Sequence, residues 1–226
     1  MIFDLDGVLV DSEPYWRQGF RAAVQQIAHG LGASAPEMSD EDLKKYEGGR
    51  VPDTVERLAT HLFPGEEDRS TALLPAAVDR AIDTAMGLLA DDPRAITASV
   101  ATAHALHDDG YVLAVASSSA PRFIAAALEA TGLADEVAVF VSSFGLDEPK
   151  PHPRVYLDAL SALEARQEQS VAIEDSPVGV EAALRAGLRT IWVTNSPSGS
   201  LSGHPGPALC VVDELSVADV HEMFER

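Results

Sequence analysis

From Asp91 onward, helix and strand patterns alternate along the chain, and this alternation constrains the fold more than any other feature of the sequence. "YVLAVAS", "EVAVFVSS", "SVAIED", "LRTIWVTN" and "ALCVVD" read as strands built around continuous apolar runs. Strands of that kind are buried on both faces, which is the condition of a parallel sheet covered by helices on each side. The intervening segments "PRAITASVATAHALHDDG", "PRFIAAALEATG", "PRVYLDALSALEA" and "SPVGVEAALRAG" supply the helices, and "VADVHEMFER" adds one more. Their punctuation fits: Ser176 stands as an N-cap, Pro177 at the first helical position and Gly187 just past the end. The expected class is α/β. "SPSGSLSGHPGPA" is expected to form a flexible surface loop, and no internal repeat is visible.

The N-terminal part differs. After a short opening strand in "MIFDLDGVLV", residues 14–90 read as helical without a convincing strand. Phe20, Val24, Ile27 and Leu31 recur at helical spacing. "SDEDLKKY" begins with the expected cap Ser39 and has Asp42 three residues on, and "PDTVERLATHLF" runs up to the breaker Pro64-Gly65. A longer helix carries Leu74, Val78, Ala81, Ile82, Ala85 and Leu89 on one face, with Pro75 expected in its first turn. The division expected is therefore a core over 1–13 and 91–226, interrupted by a helical domain over 14–90. A length of 226 residues suits one core with an insertion better than two independent domains.

Composition narrows the function classes. The chain has 16 basic and 36 acidic residues, a formal charge of −20, which argues against unaided binding to nucleic acid or an anionic membrane. The apolar fraction of 46% is ample for a core, yet no apolar run is long enough to span a bilayer. The start lacks the layout of a secretion signal. Cys210 is the single cysteine, so an intrachain disulfide and a thiolate zinc cluster are both excluded. A cytoplasmic protein, monomeric or weakly dimeric, is expected.

In an open parallel sheet, functional groups gather at the carboxyl ends of the strands. Here those ends carry Asp4 and Asp6, Ser117, and Glu174 with Asp175, while the loop after "EVAVFVSS" delivers Lys150 in "EPKPHP". Carboxylates crowded together repel by about 4 kcal/mol per pair at ~4 Å and an effective dielectric near 20. A hard divalent cation offsets that repulsion, and a donor set of oxygens alone favours Mg²⁺ over zinc. Ser117, the backbone N–H groups opening the next helix and Lys150 are anion-binding parts. A cation, an anion and a free carboxylate in one place suit phosphoryl transfer with an aspartate as nucleophile.

"FDLDGVLVDSE" closely resembles the first motif of the haloacid dehalogenase-like phosphatase superfamily. "VASSS", Lys150 in "PKPHPRVY" and "IEDSPVGVEAALRAG" resemble its second, third and fourth motifs, in the family's order. The helical insertion falls between the first two, as in the subgroup containing beta-phosphoglucomutase and many sugar-phosphate phosphatases. The resemblance implies a Rossmann-like core with an inserted α-helical cap, and a Mg²⁺-dependent phosphatase of small phosphorylated metabolites. It implies Asp4 as nucleophile and Asp6 as acid/base. It implies Asp4, the Asp6 backbone carbonyl and Asp175 as Mg²⁺ ligands, with Glu174 acting directly or through water. Ser117 and Ser118 would bind the phosphoryl group, and Lys150 would neutralise its charge and orient Asp4.

Substrate contacts are expected from the cap, with Glu13, Trp16 and Arg50 as candidates. Beta-phosphoglucomutases typically carry a histidine where Trp16 stands. "DSEPYW" looks more like hexose-phosphate phosphatases, including those acting on 2-deoxyglucose 6-phosphate. A phosphomutase remains the first alternative and a non-catalytic metabolite-binding module the second. True dehalogenation is disfavoured, because it needs neither a Mg²⁺ site nor a proton donor at Asp6. Many relatives have a "PGV"-like turn where this chain has "DDPRAITASV", so a different second hinge is expected. Asp11 reads as a capping or hinge residue, and His152 as structural.

Overall fold

The computed structural model describes residues 1–194 and 208–225, so residues 196–207 of the expected surface loop lie outside the described residues. The chain divides into two compact units, one made of Met1–Asp11 and Arg94–Arg226, the other of Ser12–Pro93. The divisions fall at 11/12 and 93/94, against the expected 13/14 and 90/91. Backbone pairing accounts for the difference. Val10 bridges Ala95, Asp11 N–H donates to Arg94 O at 3.0 Å, and Ile96 N–H donates to Leu9 O at 2.9 Å. The outgoing and returning chain are thereby tied together within the sheet unit.

That unit contains a six-stranded sheet of β1 (Ile2–Phe3), β2 (Leu113–Ser117), β3 (Val137–Ser142), β4 (Val171–Glu174), β5 (Arg189–Val193) and β6 (Leu209–Val212). Their order is β3-β2-β1-β4-β5-β6, and every pairing is parallel. Successive residues of a strand point to opposite faces. Ile2, Ala114, Ala116 and Ala172 pack with Val155, Tyr156, Ala159, Leu160, Ala182, Ala183 and Ala186. Leu113 and Val115, pointing the other way, are also fully buried. Both faces of the central strands are therefore covered, as expected. The edge strand β3 differs, since its residues are only half-buried or exposed and Phe140 is among the exposed ones.

The helical unit has α1 (Glu13–Leu31), α2 (Asp40–Lys44), α3 (Val51–Leu62) and α4 (Glu67–Asp91). Phe20, Val24 and Ile27 are buried on α1, and the helix stops at Gly32 in the left-handed conformation. Ser39 caps α2 in a complete capping box with Asp42. One expectation is corrected: α4 begins at Glu67, so Pro75 lies inside the helix and not in its first turn. The polar turns before Pro75 are helical in their own right. Glu67 and Asp68 favour the positive end of the helix dipole, and Arg69 pairs with Glu66 at 2.8 Å.

In the sheet unit follow α5 (Thr97–Asp108), α6 (Pro121–Thr131), α7 (Arg154–Ala162), α8 (Pro177–Arg185) and α9 (Val217–Glu225). The helix expected from Pro93 thus starts only at Thr97, because residues 94–96 are engaged with Leu9–Asp11. Arg94 adopts a φ of 41° there. Among the described residues no helix is long and apolar enough to cross a membrane.

Candidate active site

The strand register explains how the first three groups meet. Phe3 of β1 is paired with Val115 on one side and with Ile173 on the other. One residue further along, Asp4, Ala116 and Glu174 therefore stand level at the carboxyl end of the sheet. Lys150 joins all three. Its Nζ donates to Asp4 Oδ1 at 2.8 Å, Glu174 Oε1 at 2.6 Å and Ala116 O at 3.1 Å. An ammonium has three protons, and these contacts use all of them. Burial by itself lowers the Lys150 ammonium, but Asp4 and Glu174 overcome it and hold the pKa raised.

Glu174 is fully buried, a position a carboxylate tolerates only when paired. Its Oε1 accepts a second hydrogen bond from Tyr156 Oη at 2.5 Å, and Oε2 accepts a longer one from Ser176 Oγ at 3.3 Å. The carboxylate lies against the first turn of α8, where a Cβ on Gly179 would come within 2.0 Å of both its oxygens. Asp175 is fitted as closely. A Cβ on Gly7 would stand 1.9 Å from Asp175 Oδ2, and Gly7 also has a φ of +77°, which L residues rarely adopt. Trp192 Nε1 donates to Asp175 O at 2.8 Å and ties this turn to β5.

Asp4, Glu174 and Asp175 each bring one oxygen into a group whose members all lie within 4.8 Å of one another. At that separation two carboxylates repel by roughly 3 kcal/mol at an effective dielectric near 20. Protonation shows the strain. Burial pushes Asp4 up to about 8; Lys150 opposes this, and Glu174 and Asp6 add to it. Asp175 is raised well above the usual carboxylate range by burial, then by Asp4 and Glu174. The protein's own cation does not balance this cluster. Its donor chemistry, oxygen only and strongly anionic, fits a hard divalent cation.

Asp6 faces a different set of groups. Its Oδ2 accepts from Ser119 Oγ at 2.7 Å and from Ser117 Oγ at 3.2 Å. The structure thus brings Asp4, Asp6, Ser117, Lys150, Glu174 and Asp175 to one sheet rim. Ser118 lies beside them, its Oγ accepting from Ser143 Oγ at 3.4 Å. Glu13, Trp16 and Arg50 belong to the helical unit. There Glu13 Oε1 accepts from Gly48 N–H at 3.0 Å, Trp16 is buried, and Arg50 forms a two-point pair with Asp53 at 2.7 and 2.9 Å. Asp11 pairs with Arg94 where the chain leaves and re-enters the sheet unit. The sequence placed Ser119 only within the serine run "VASSS", and it gave no role to Tyr156, Gly179 or Trp192. Tyr156 and Trp192 resemble ordinary core residues, and Gly179 looks like a weak helix position.

The model of the haloacid dehalogenase-like hydrolases matches residues 1–193. Hexitol phosphatase B of Escherichia coli (strain K12) is 30% identical over 196 residues, which span 85% of this chain and 82% of that protein. Validoxylamine A 7'-phosphate phosphatase of Streptomyces hygroscopicus subsp. limoneus is 29% identical over 225 residues, 95% of this chain and 91% of the relative. In the crystal structure of CbbY from Rhodobacter sphaeroides in complex with phosphate, 92% of the chain is matched by 94% of this one. The TM-score is 0.76 at 22% identity, a likeness of fold. The chain belongs to the haloacid dehalogenase-like hydrolases. Within that family it is a phosphatase, a phosphoric monoester hydrolase.

Proposed function

We propose that the chain hydrolyses small phosphorylated metabolites, sugar phosphates foremost, through a phospho-Asp4 intermediate with Mg²⁺ as cofactor. One observation carries this reading: Asp4 is buried at the end of β1, bonded to Lys150 and clustered with Glu174 and Asp175. Relatives named for hexitol and validoxylamine A 7'-phosphate support the substrate class.

Asp4, the Asp6 backbone carbonyl and Asp175 would hold the cation, with Glu174 as a direct or water-bridged ligand. When bound, Mg²⁺ supplies positive charge that favours ionised Asp4 and neutralises phosphoryl oxygens. Lys150 holds Asp4 in place and adds charge at the phosphoryl group. Ser117 and Ser118 bind the phosphoryl oxygens. In the first step an Asp4 carboxylate oxygen bonds to phosphorus while the bond to the leaving oxygen breaks, and Asp6 gives that oxygen its proton. In the second step Asp6 takes a proton from water. The water oxygen bonds to phosphorus, the Asp4–phosphorus bond breaks, and inorganic phosphate and free Asp4 result. The helical unit is read as the cap, with Glu13, Trp16 and Arg50 as substrate contacts.

The test is phosphate release across a panel of sugar phosphates, phosphoglycolate and nucleotides, with and without Mg²⁺. Wild type should turn over at least one sugar phosphate only with Mg²⁺, and Asp4→Asn should fold normally and lose turnover. Full activity in Asp4→Asn rejects the nucleophile. Following a hexose 1-phosphate by NMR separates hydrolysis from transfer to the 6-position.

A further inference from the structure

The turn between β2 and α6 contains a serine that none of the four motif roles uses. Ser119 is buried, and its hydroxyl donates to Asp6 Oδ2 at 2.7 Å, the shorter of the two serine contacts on that oxygen. Its position is set from below by β3. Ser142 Oγ donates to Ser119 O at 2.6 Å and accepts from Phe144 N–H at 3.1 Å, and Ser143 N–H donates to Ser117 O at 2.9 Å. The β2–α6 turn is thus pinned to the end of the neighbouring strand.

The hydrogen count at Ser117 decides what Ser119 is for. Ser117 Oγ accepts from Ser119 N–H at 3.0 Å and donates its single proton to Asp6 Oδ2. If Ser117 binds the transferring phosphoryl group, that proton must turn to a phosphoryl oxygen, and its bond to Asp6 is given up. Ser119 then retains the hydroxyl contact on Asp6. We infer that Ser119 is a positioning residue for Asp6, holding its carboxyl in reach of the leaving oxygen after the phosphoryl group has claimed Ser117. The inference rests on the proposed role of Asp6 as acid/base and deepens it. Ser119 exchanges no proton with substrate. Its task is to keep Oδ2 fixed, so that the carboxyl's proton is aimed at the leaving oxygen as the phosphorus–oxygen bond breaks.

A positioning role of this kind has a signature that a purely structural one lacks. An alkyl phosphate such as a hexose 6-phosphate needs a proton on its leaving oxygen, whereas 2,4-dinitrophenolate departs without one. The value of kcat/KM reports events up to leaving-group departure, so it isolates the acid step from the later attack of water. Ser119→Ala should lower kcat/KM for the sugar phosphate about tenfold, and for 2,4-dinitrophenyl phosphate by less than about threefold. Ser119→Thr, which keeps the hydroxyl, should recover most of the loss, and Asp6→Asn should show the same leaving-group contrast in larger measure. Equal losses on both substrates in Ser119→Ala, or no loss on either, overturn the inference. If Asp6→Asn itself shows no contrast, the acid role of Asp6 fails and not merely its support by Ser119.

Discussion

Replacing Gly179 by alanine pits a favourable local change against an unfavourable tertiary one. Alanine is the better helix former by roughly 1 kcal/mol, and Gly179 lies inside α8, so helix propensity alone predicts stabilisation. The new Cβ would sit 2.0 Å from both carboxylate oxygens of Glu174. That carboxylate is fully buried and carries two short hydrogen bonds, from Lys150 at 2.6 Å and Tyr156 at 2.5 Å. It has no solvent to retreat into. Displacing it weakens two charge-assisted bonds, each contributing about 1.5–3 kcal/mol, and breaking a buried pair costs about 3–5 kcal/mol. After subtracting the helical gain, a net loss of about 3 kcal/mol is expected. For a chain of this size that lowers Tm by roughly 6–12 °C. Calorimetric melts of Gly179→Ala and wild type, paired with Mg²⁺ titration by isothermal calorimetry, would measure both consequences. Weaker Mg²⁺ binding should accompany the lower Tm. An alanine variant as stable as wild type, with unchanged Mg²⁺ affinity, would refute the idea that Gly179 exists to admit Glu174.

Two further outcomes follow from the same cluster. In protein stripped of divalent metal, Asp4 holds a proton up to about pH 8 that the unfolded chain releases near 4, and Asp175 is also raised. The stabilisation from that retained proton is full below pH 4 and is lost as pH rises through about 8, so the stripped protein should become less stable from pH 5 to pH 8. Saturating Mg²⁺ should raise Tm more at pH 8 than at pH 5; a larger rise at pH 5 would contradict the charge balance derived for Asp4 and Asp175. Tyr156→Phe keeps the ring and removes only the hydroxyl donated to Glu174. A loss of about 2 kcal/mol, or roughly 4–8 °C in Tm, is expected in calorimetric melts, and a variant with wild-type Tm would mean the bond contributes nothing net.

Much of this architecture was legible because its signals are local. Continuous apolar runs between helical segments announced a parallel sheet, and β2, β4 and β5 lie within the segments read as strands. Ser39 with Asp42 and Ser176 with Pro177 marked helix starts that the structure contains. Where expectation and structure part, a longer-range contact intervenes. Residues 94–96 looked helical but pair with Leu9–Asp11, and α4 extends through Pro75 although proline favours first turns. The edge strand β3 reads like its buried neighbours, because sequence cannot report which strand ends up with only one partner.

The primary sequence determined the chemical inventory and its order: carboxylates, a serine and a lysine placed behind apolar strands, in a succession that matches one hydrolase family. That much is legible along the chain because strand ends and motif spacing are properties of neighbours in sequence. Only the tertiary structure decided that Lys150 has all three protons committed, that Tyr156 secures Glu174, that Ser119 holds Asp6, and that Gly7 and Gly179 leave room for Asp175 and Glu174. These are contacts between residues far apart in sequence, and their strength comes from burial, which no residue possesses until the sheet has closed around it.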